Sequence, residues 1–320
     1  MMTDTQQPLV SIIIASYNHA EYVEDAIRSV MEQTYCNIQM IVIDDASPDD
    51  SALRISALNA ERRFLFLQNK RNIGLQRSLS MAMEHVTGEY LGIFASDDMI
   101  QKNKIERQVA FLQQYDLDGV YSNCYLLLPD NTRVLVDLSA VEEMFLRGSY
   151  LNHLYVCDSY GALFQSGLFR SKALQELQHI RESFWSDDWA IAIKMMENYR
   201  VGFLNEPFAL YRQHENNTHK QYWTTFPGRV QVVSSLTPLE LRHIALSNLL
   251  ASQADYLVAD HQRPLARRFY LASLAMDFSF KKLTHYISSL NIHPVVWLSH
   301  CKKYAVRFVR KVLLLPKRIL

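Results

Sequence analysis

Tyr90-Leu91-Gly92-Ile93-Phe94-Ala95-Ser96-Asp97-Asp98 is the stretch on which the reading of this chain turns. It opens as an apolar, aromatic-rich run with the composition of a buried strand and stops on two adjacent carboxylates. Gly88 precedes it as a turn residue, and a charged helical pattern over 104–115 follows. Two acids at the mouth of a buried strand repel each other and lose hydration unless a positive group sits there. A hard divalent cation meets that need, accepting one or two carboxylates and filling its other positions with water and phosphate oxygens. The competing reading is that Asp97 or Asp98 caps the next helix. How the neighbouring strands end decides between the two.

Working outward, the same ending recurs. Val10-Ser11-Ile12-Ile13-Ile14-Ala15 is a continuous run suited to a strand covered on both faces. It ends at Ser16-Tyr17-Asn18-His19, ahead of a helical pattern over 21–32. A second strand over 38–43 ends on Asp44-Asp45. A third over 64–67 leads to Asn69-Lys70-Arg71-Asn72-Ile73-Gly74 and a helix over 75–85. Such alternation predicts an α/β fold, a mostly parallel sheet with helices on both faces. Ligands of such sheets bind beyond the carboxyl ends of the strands. Tyr17/Asn18, Asp44/Asp45, Arg71/Asn72 and Asp97/Asp98 therefore line one edge. Ser47-Pro48-Asp49-Asp50 reads as a helix start, with Ser47 as N-cap and Pro48 in first position. That leaves Asp44 and Asp45 without a structural explanation. Neither G-x-G-x-x-G nor G-x-x-x-x-G-K-[ST] occurs, so any nucleotide bound here would have to be held by side chains and a metal.

After a fifth strand over 119–123 the alternation breaks down. Residues 125–137, with Pro129-Asp130-Asn131 in the middle, read as a hairpin, 141–155 as mixed, and 161–169 as extended; Ser171 then opens a short helix. Phe184-Trp185-Ser186-Asp187-Asp188-Trp189 leads into a helix over 190–197. Short strands over 201–204 and 209–211 deliver Tyr211-Arg212-Gln213-His214. Residues 237–290 are helical in pattern, and 304–315 form a basic amphipathic or apolar helix stopped by Pro316.

At 320 residues the chain can bury a large core. Its 49% hydrophobic and 21% charged residues are those of an ordinary globular protein. Net charge is zero but unevenly spread: nine bases and no acid follow Asp277, which leaves the preceding residues at −9. Cys36, Cys124, Cys157 and Cys301 are scattered, without metal-ligand spacing, as expected of thiols in a reducing compartment. The first eight residues lack a signal-peptide core and no apolar run approaches a membrane span, so a cytoplasmic body is expected. The basic tail suits peripheral contact with an anionic membrane face.

In order and spacing, these motifs resemble the inverting glycosyltransferases of family 2, which have the GT-A fold. The likeness spans 9–218 and rests on the runs ending at Asn18, Ser47, Gly74 and Asp98, on Asp187-Asp188, and on Tyr211-Arg212-x-His214. It implies transfer of a sugar from a nucleoside diphosphate sugar, with uridine as the base, to a saccharide or lipid-linked saccharide. The cofactor would be Mg²⁺ or Mn²⁺. By the same resemblance Ala15, Tyr17, Asp45, Arg71 and Asp97 line the nucleotide sugar, with Tyr17 beside the base, Asp45 on its ring N–H and Asp97 near the ribose. Asp98 and His214 would hold the metal, Asp188 would be the general base, and Trp185 and Asp187 would face the acceptor. The tryptophans around Asp188 could raise its pKa or offer a sugar a flat face. Two positions depart from the family's usual pattern: Ala95 stands where its metal motif often begins with an acid, and Asp187 where Glu usually precedes the base.

This reading divides the chain into a nucleotide-sugar half (1–124), an acceptor half (125–225) and a C-terminal helical segment with a basic tail (226–320). The last is a candidate packing appendage or homo-oligomer contact; no nucleic-acid partner is expected. Two other functions stay open at this level. A sugar-nucleotide-forming nucleotidyltransferase would use a similar sheet, although Ser16-Tyr17-Asn18-His19 lacks its glycine-rich basic loop. A non-catalytic transferase-like module is the other.

Overall fold

The computed structural model of the chain describes residues 7–156, 164–184, 187–215, 217 and 222–289. It separates into two compact units, Met1–Leu154 with Ser159–Lys220, and Tyr155–Asp158 with Gln221–Leu320. The first unit begins with the expected alternation: β1 (Val10–Ser16), α1 (Val23–Met31), β2 (Ile38–Asp44), α2 (Ser51–Glu61), β3 (Leu65–Gln68), α3 (Leu75–Met83) and β4 (Tyr90–Ala95). Next come β5 (Met99–Ile100), α4 (Lys104–Tyr115), β6 (Gly119–Leu127), β7 (Arg133–Leu135), α5 (Ser139–Leu146) and α6 (Tyr150–Val156). β8 (Leu168–Arg170), α7 (Ser171–Glu176), α8 (Gln178–Ser183), α9 (Asp187–Asn198) and β9 (Val201–Arg212) complete it.

One sheet runs in the order β3-β2-β1-β4-β8-β6-β9-β5, with β7 hairpinned onto β6. β3, β2, β1 and β4 are parallel neighbours, as are β6 and β9. β8 and β5 run antiparallel to their neighbours. Val10, Ile12 and Ile14 of β1 share a core with Ala26, Ile27 and Val30 of α1, Ile55 and Leu58 of α2, and Ile105, Val109 and Leu112 of α4. Strand residues alternate faces, so the equally buried Ile13 points the other way, as do Ile41 and Ile43 of β2. On that side α3 lies against β1 and β2 and buries Leu79, Ala82 and Met83. Each fully buried isoleucine stabilises the fold by about 1.5–3 kcal/mol.

Three expectations are corrected here. Ser47 does not cap a helix: α2 begins at Ser51, and the Ser47 hydroxyl instead donates to Asp44 and accepts the Asn18 N–H at 2.9 Å. The strands expected over 201–204 and 209–211 are one strand, β9. Pro207, which lacks a donor, sits opposite Asn123 at a shift in register, where no ladder bond is forfeited. The second unit starts its helices earlier than the sequence suggested. α10 (Tyr222–Leu236) precedes α11 (Arg242–Ala259), α12 (Arg263–Met276) and α13 (Phe280–Ser289), and it carries inside it the Pro227-Gly228 pair that reads locally as a breaker. Among the described residues no helix is long and apolar enough to cross a membrane. The tail over 304–320 lies outside them.

Lys104, the first residue of α4, is 1% exposed and donates its ammonium to the Gly167 carbonyl at 3.1 Å. With Gln108, which donates to the Ser166 carbonyl, it ties α4 to the turn entering β8. Burial pushes the Lys104 pKa down to about 7 from 10.5. Between those values the unfolded chain holds a proton that the folded one has lost, so this group makes stability rise with pH across that window. Urea midpoints measured from pH 7 upward are expected to climb for the wild type and to climb less for Lys104→Met. Parallel curves for the two proteins would show that Lys104 keeps its ordinary pKa.

Candidate active site

The sheet brings the ends of β1, β2 and β4 into register: Ser16 pairs with Asp44, and Ala15 with both Ile43 and Ala95. Main-chain bonds continue past the strands, from Asp45 N–H to Ser16 O, Ser96 N–H to Ala15 O and Asn69 N–H to Asp44 O, each 2.9 Å. The loops are fastened to one another as well. Asn18, with a left-handed φ of 58°, is held by Ser47, while His19 N–H reaches Ser51 Oγ at 3.0 Å and Ala20 N–H reaches Asp49 at 2.8 Å. Short polar side chains in this segment therefore act as fasteners, which pattern reading assigned to a helix cap.

Asp45 is the hub of the next loop. One of its oxygens accepts from Asn69 Nδ2 at 2.8 Å and Ile73 N–H at 2.9 Å, the other from Gly74 N–H at 2.8 Å. Gly74 has φ +90°, a conformation that favours glycine. A carboxylate offers about four lone-pair directions, so one remains for a further donor. Tyr17 is 45% exposed at the same edge, and Arg71 is exposed too.

The acid pair follows β4 in a tight turn, with Asp98 N–H bonded to Ala95 O. β5 comes next and pairs antiparallel with β9, Met99 opposite Leu210, so the end of β9 is drawn onto the acids. Arg212 N–H donates to Asp98 Oδ1 at 3.0 Å, and Arg212 Nε to the Asp97 carbonyl at 2.9 Å. The rest of the guanidinium turns away, to Asp25 at 2.9 Å and over the Tyr22 ring. His214 Nε2 lies 2.9 Å from Asp97 Oδ2, its ring stacked on Tyr22. His19 Nε2 is 3.8 Å from the same oxygen, and its Nδ1 is hydrogen-bonded to Ser96 Oγ at 2.9 Å.

Asp97 and Asp98 are 7% and 2% exposed. Burial, with the Asp97 charge alongside, pushes the Asp98 carboxyl well above the usual range. Burial also lowers the His19 pKa, outweighing the pull of Asp97 in the other direction. Among the described residues, Asp97 Oδ1 and Asp98 Oδ2 have no hydrogen-bond partner. Two orphaned carboxylate oxygens beside imidazole nitrogens fit a divalent cation, which would neutralise what the protein leaves uncompensated. The sequence reading gave Asp98 and His214 to the metal and Asp97 to the ribose. In this arrangement the imidazole of His214 faces Asp97, and that of His19 joins it. His19 was quoted in the sequence without a role; its only signal is its position just past the first strand.

On the other side of the chain's order, Asp188 is half-buried in the first turn of α9, where its Oδ1 accepts the Trp189 N–H at 2.8 Å. Its charge, after burial and Tyr150, contributes to raising the pKa of the buried Tyr121 hydroxyl. Trp189 is 3% exposed and its indole N–H is bonded to the Leu154 carbonyl, so it offers no face to a sugar. That expectation is withdrawn. Trp185 and the Asp187 side chain lie outside the described residues.

The sequence profile of glycosyl transferase family 2 matches residues 11–214, from β1 to the histidine that meets Asp97. The chain belongs to glycosyl transferase family 2. An uncharacterized glycosyltransferase of Haemophilus influenzae is 23% identical over 280 residues, covering 78% of this chain and 85% of that protein. Two solved structures share the fold of this family 2 chain. One is the mannosyltransferase PcManGT from Pyrobaculum calidifontis in complex with GDP-Man and Mn²⁺, with a TM-score of 0.60, 19% identity and coverage of 97% of this chain and 88% of that one. The other is S. aureus TarS 1-349 in complex with UDP, with a TM-score of 0.56, 15% identity and coverage of 84% and 81%.

The bonding around Asp45 sets an expectation for the family 2 chain that needs no ligand. Asp45→Ala strips the acceptor from the Ile73 N–H and leaves Gly74 N–H only Asn72 Oδ1 at 3.2 Å, at a cost of about 1–3 kcal/mol. Amide exchange at Ile73 and Gly74 should accelerate strongly, while amides within β1 keep their protection. Unchanged exchange at those two positions would show that Asp45 does not organise the loop.

Proposed function

We propose that the protein transfers a sugar from a nucleoside diphosphate sugar to a hydroxyl of a saccharide or lipid-linked saccharide, with inversion at the anomeric carbon. The observation that carries this reading is the buried Asp97-Asp98 pair, with two unpartnered oxygens, at the strand-end edge of a family 2 glycosyltransferase. Tyr17 would lie beside the base and Asp45 would use its remaining lone pair on the ring N–H, with Ala15 and Arg71 completing the nucleotide-sugar surface. Uridine is the favoured base, and Asp97 would approach the ribose.

Asp98 and His214 would hold Mg²⁺ or Mn²⁺, which when bound stabilises the charge growing on the departing diphosphate. The acceptor oxygen attacks the anomeric carbon from the face opposite the diphosphate. As the new bond forms, the bond to the diphosphate oxygen breaks, and the hydroxyl proton passes to Asp188 as general base. Asp187 and Trp185 would stand on the acceptor side. In this reading residues 1–124 bind the donor, 125–225 bind the acceptor, and the later helices pack or mediate self-association. Without an acid after Asp277, the basic tail would add peripheral membrane contact, about 1 kcal/mol per basic residue near an anionic surface.

Release of a nucleoside diphosphate is the expected product; release of pyrophosphate would favour the nucleotidyltransferase, and release of neither the binding module. Within the transferase, Asp188→Asn keeps the shape but cannot take a proton. Turnover is expected to fall about 10²-fold or more, with donor affinity close to wild type, and Asp187→Asn should do less. Near-normal turnover of Asp188→Asn would reduce this residue to the helix-start role its bond to Trp189 already serves.

A vesicle assay addresses the tail separately. The full chain is expected to pellet with anionic liposomes at low salt, and a truncation after Ser299 to stay in the supernatant. Full-length protein that ignores the liposomes would leave the tail without a membrane role.

A further inference from the structure

We propose that His19 is a metal ligand, and that His19, Asp97 and His214 form a preformed site that takes a manganese-class transition ion before any nucleotide arrives. The proposal rests on the metal-assisted transferase reading for its use and replaces the ribose role given to Asp97 there with that of a ligand, but the binding itself is a property of the free chain. One ligand atom from each of the three side chains lies within 4.8 Å of the others. Metal bonds of about 2.1 Å place ligand atoms at most roughly 4.2 Å apart, so side-chain shifts of a few tenths of an ångström close the site.

The His19 ring is held in the orientation a ligand needs. Its Nδ1 is engaged by Ser96 Oγ, a fully buried hydroxyl, which turns Nε2 toward Asp97. Such an outer bond holds the ring of a metal-binding histidine in orientation. The nearest permanent cation does not do the metal's work. Arg212 sends its guanidinium to Asp25 and to the Asp97 main-chain carbonyl, and touches Asp98 only through its backbone N–H. Asp97 Oδ1 and Asp98 Oδ2 stay buried and without hydrogen-bond partners among the described residues. Among the described residues these two buried oxygens are therefore left for a cation to satisfy.

The donor set also selects the ion. Mg²⁺ dehydrates reluctantly and is held by carboxylates together with substrate phosphates, whereas imidazole nitrogens suit later transition ions. Two imidazoles and one carboxylate, all supplied by the protein, favour a first-row transition ion over Mg²⁺, Mn²⁺ being the weakest binder of that series, and need no phosphate to complete the first contacts.

Mn²⁺ titrated into the full chain without nucleotide, followed by the loss of its free electron-spin-resonance signal, reads the site directly. One bound ion per chain is expected, retained against a large excess of Mg²⁺. His19→Ala should weaken nucleotide-free Mn²⁺ binding at least tenfold with an unchanged melting temperature. His19→Asp, which restores a ligand but as oxygen, should recover binding and narrow the preference for Mn²⁺ over Mg²⁺. Absence of Mn²⁺ binding to the free chain, or equal affinity in His19→Ala, would overturn the inference. Calorimetry of UDP at saturating Mn²⁺ separates the two levels. Wild-type UDP binding that His19→Ala retains in full, with equal Mn²⁺ affinity, removes His19 and leaves the transferase reading intact. Failure of both UDP and GDP to bind with any divalent ion would remove the reading itself.

Discussion

Two carboxylates at the end of a buried strand are the constraint around which this structure is arranged. Asp97 and Asp98 leave β4 together, both nearly excluded from water, so neither can be stabilised by hydration. The protein answers with single contacts from several distant segments. One backbone N–H comes from Arg212, an imidazole from His214 and, farther off, one from His19. Among the described residues two of the carboxylate oxygens still have no hydrogen-bond partner. An edge so constructed leaves buried carboxylate oxygens that a cation would satisfy.

The sheet topology is what makes those contacts available. β1 sits between β2 and β4, and its main-chain bonds carry on past the strand ends to Asp45 and Ser96. On the far side of the sheet β9 runs parallel to β6 and then pairs with β5, the two-residue strand immediately after the acids. That pairing fixes where Arg212 and His214 can be. The irregularity opposite Pro207 lets β9 keep contact with β6 on both sides of a residue that cannot donate. A short β5 is thus more consequential than its length suggests, since it delivers the last motif of the family match to Asp97 and Asp98.

Polar side chains near the edge divide into fasteners and open groups. Ser47, Ser51 and Asp49 spend their bonding capacity on neighbouring loop N–H groups, and Asp45 spends most of its own on Asn69, Ile73 and Gly74. Tyr17 and Arg71 remain exposed. Such a partition matters energetically: a loop already satisfied in its own bonds loses little further freedom when a ligand settles on it.

Much of this was legible in the sequence because it depends on local periodicity. The β-branched runs of β1 and β2 and the charged helical pattern of α4 specify their own conformations, and strand-helix alternation then dictates a parallel sheet whose strand ends share an edge. The acid pair and Asp45 were therefore nameable by position, and the histidine of the last motif by the family resemblance. Tertiary structure decided what those positions touch. Ser47 became a fastener instead of a cap because Asn18 and Asp44 are brought within reach of its hydroxyl. Trp189 became core because its indole finds the Leu154 carbonyl, and β9 became one strand because β6 offers a ladder on both sides of Pro207. His19 reached the acids only because β1 and β4 are neighbours and Ser96 turns its ring inward. Local sequence fixes conformation through sterics and hydrogen bonds between near neighbours; which distant side chains share a buried charge is settled only when the sheet closes around it.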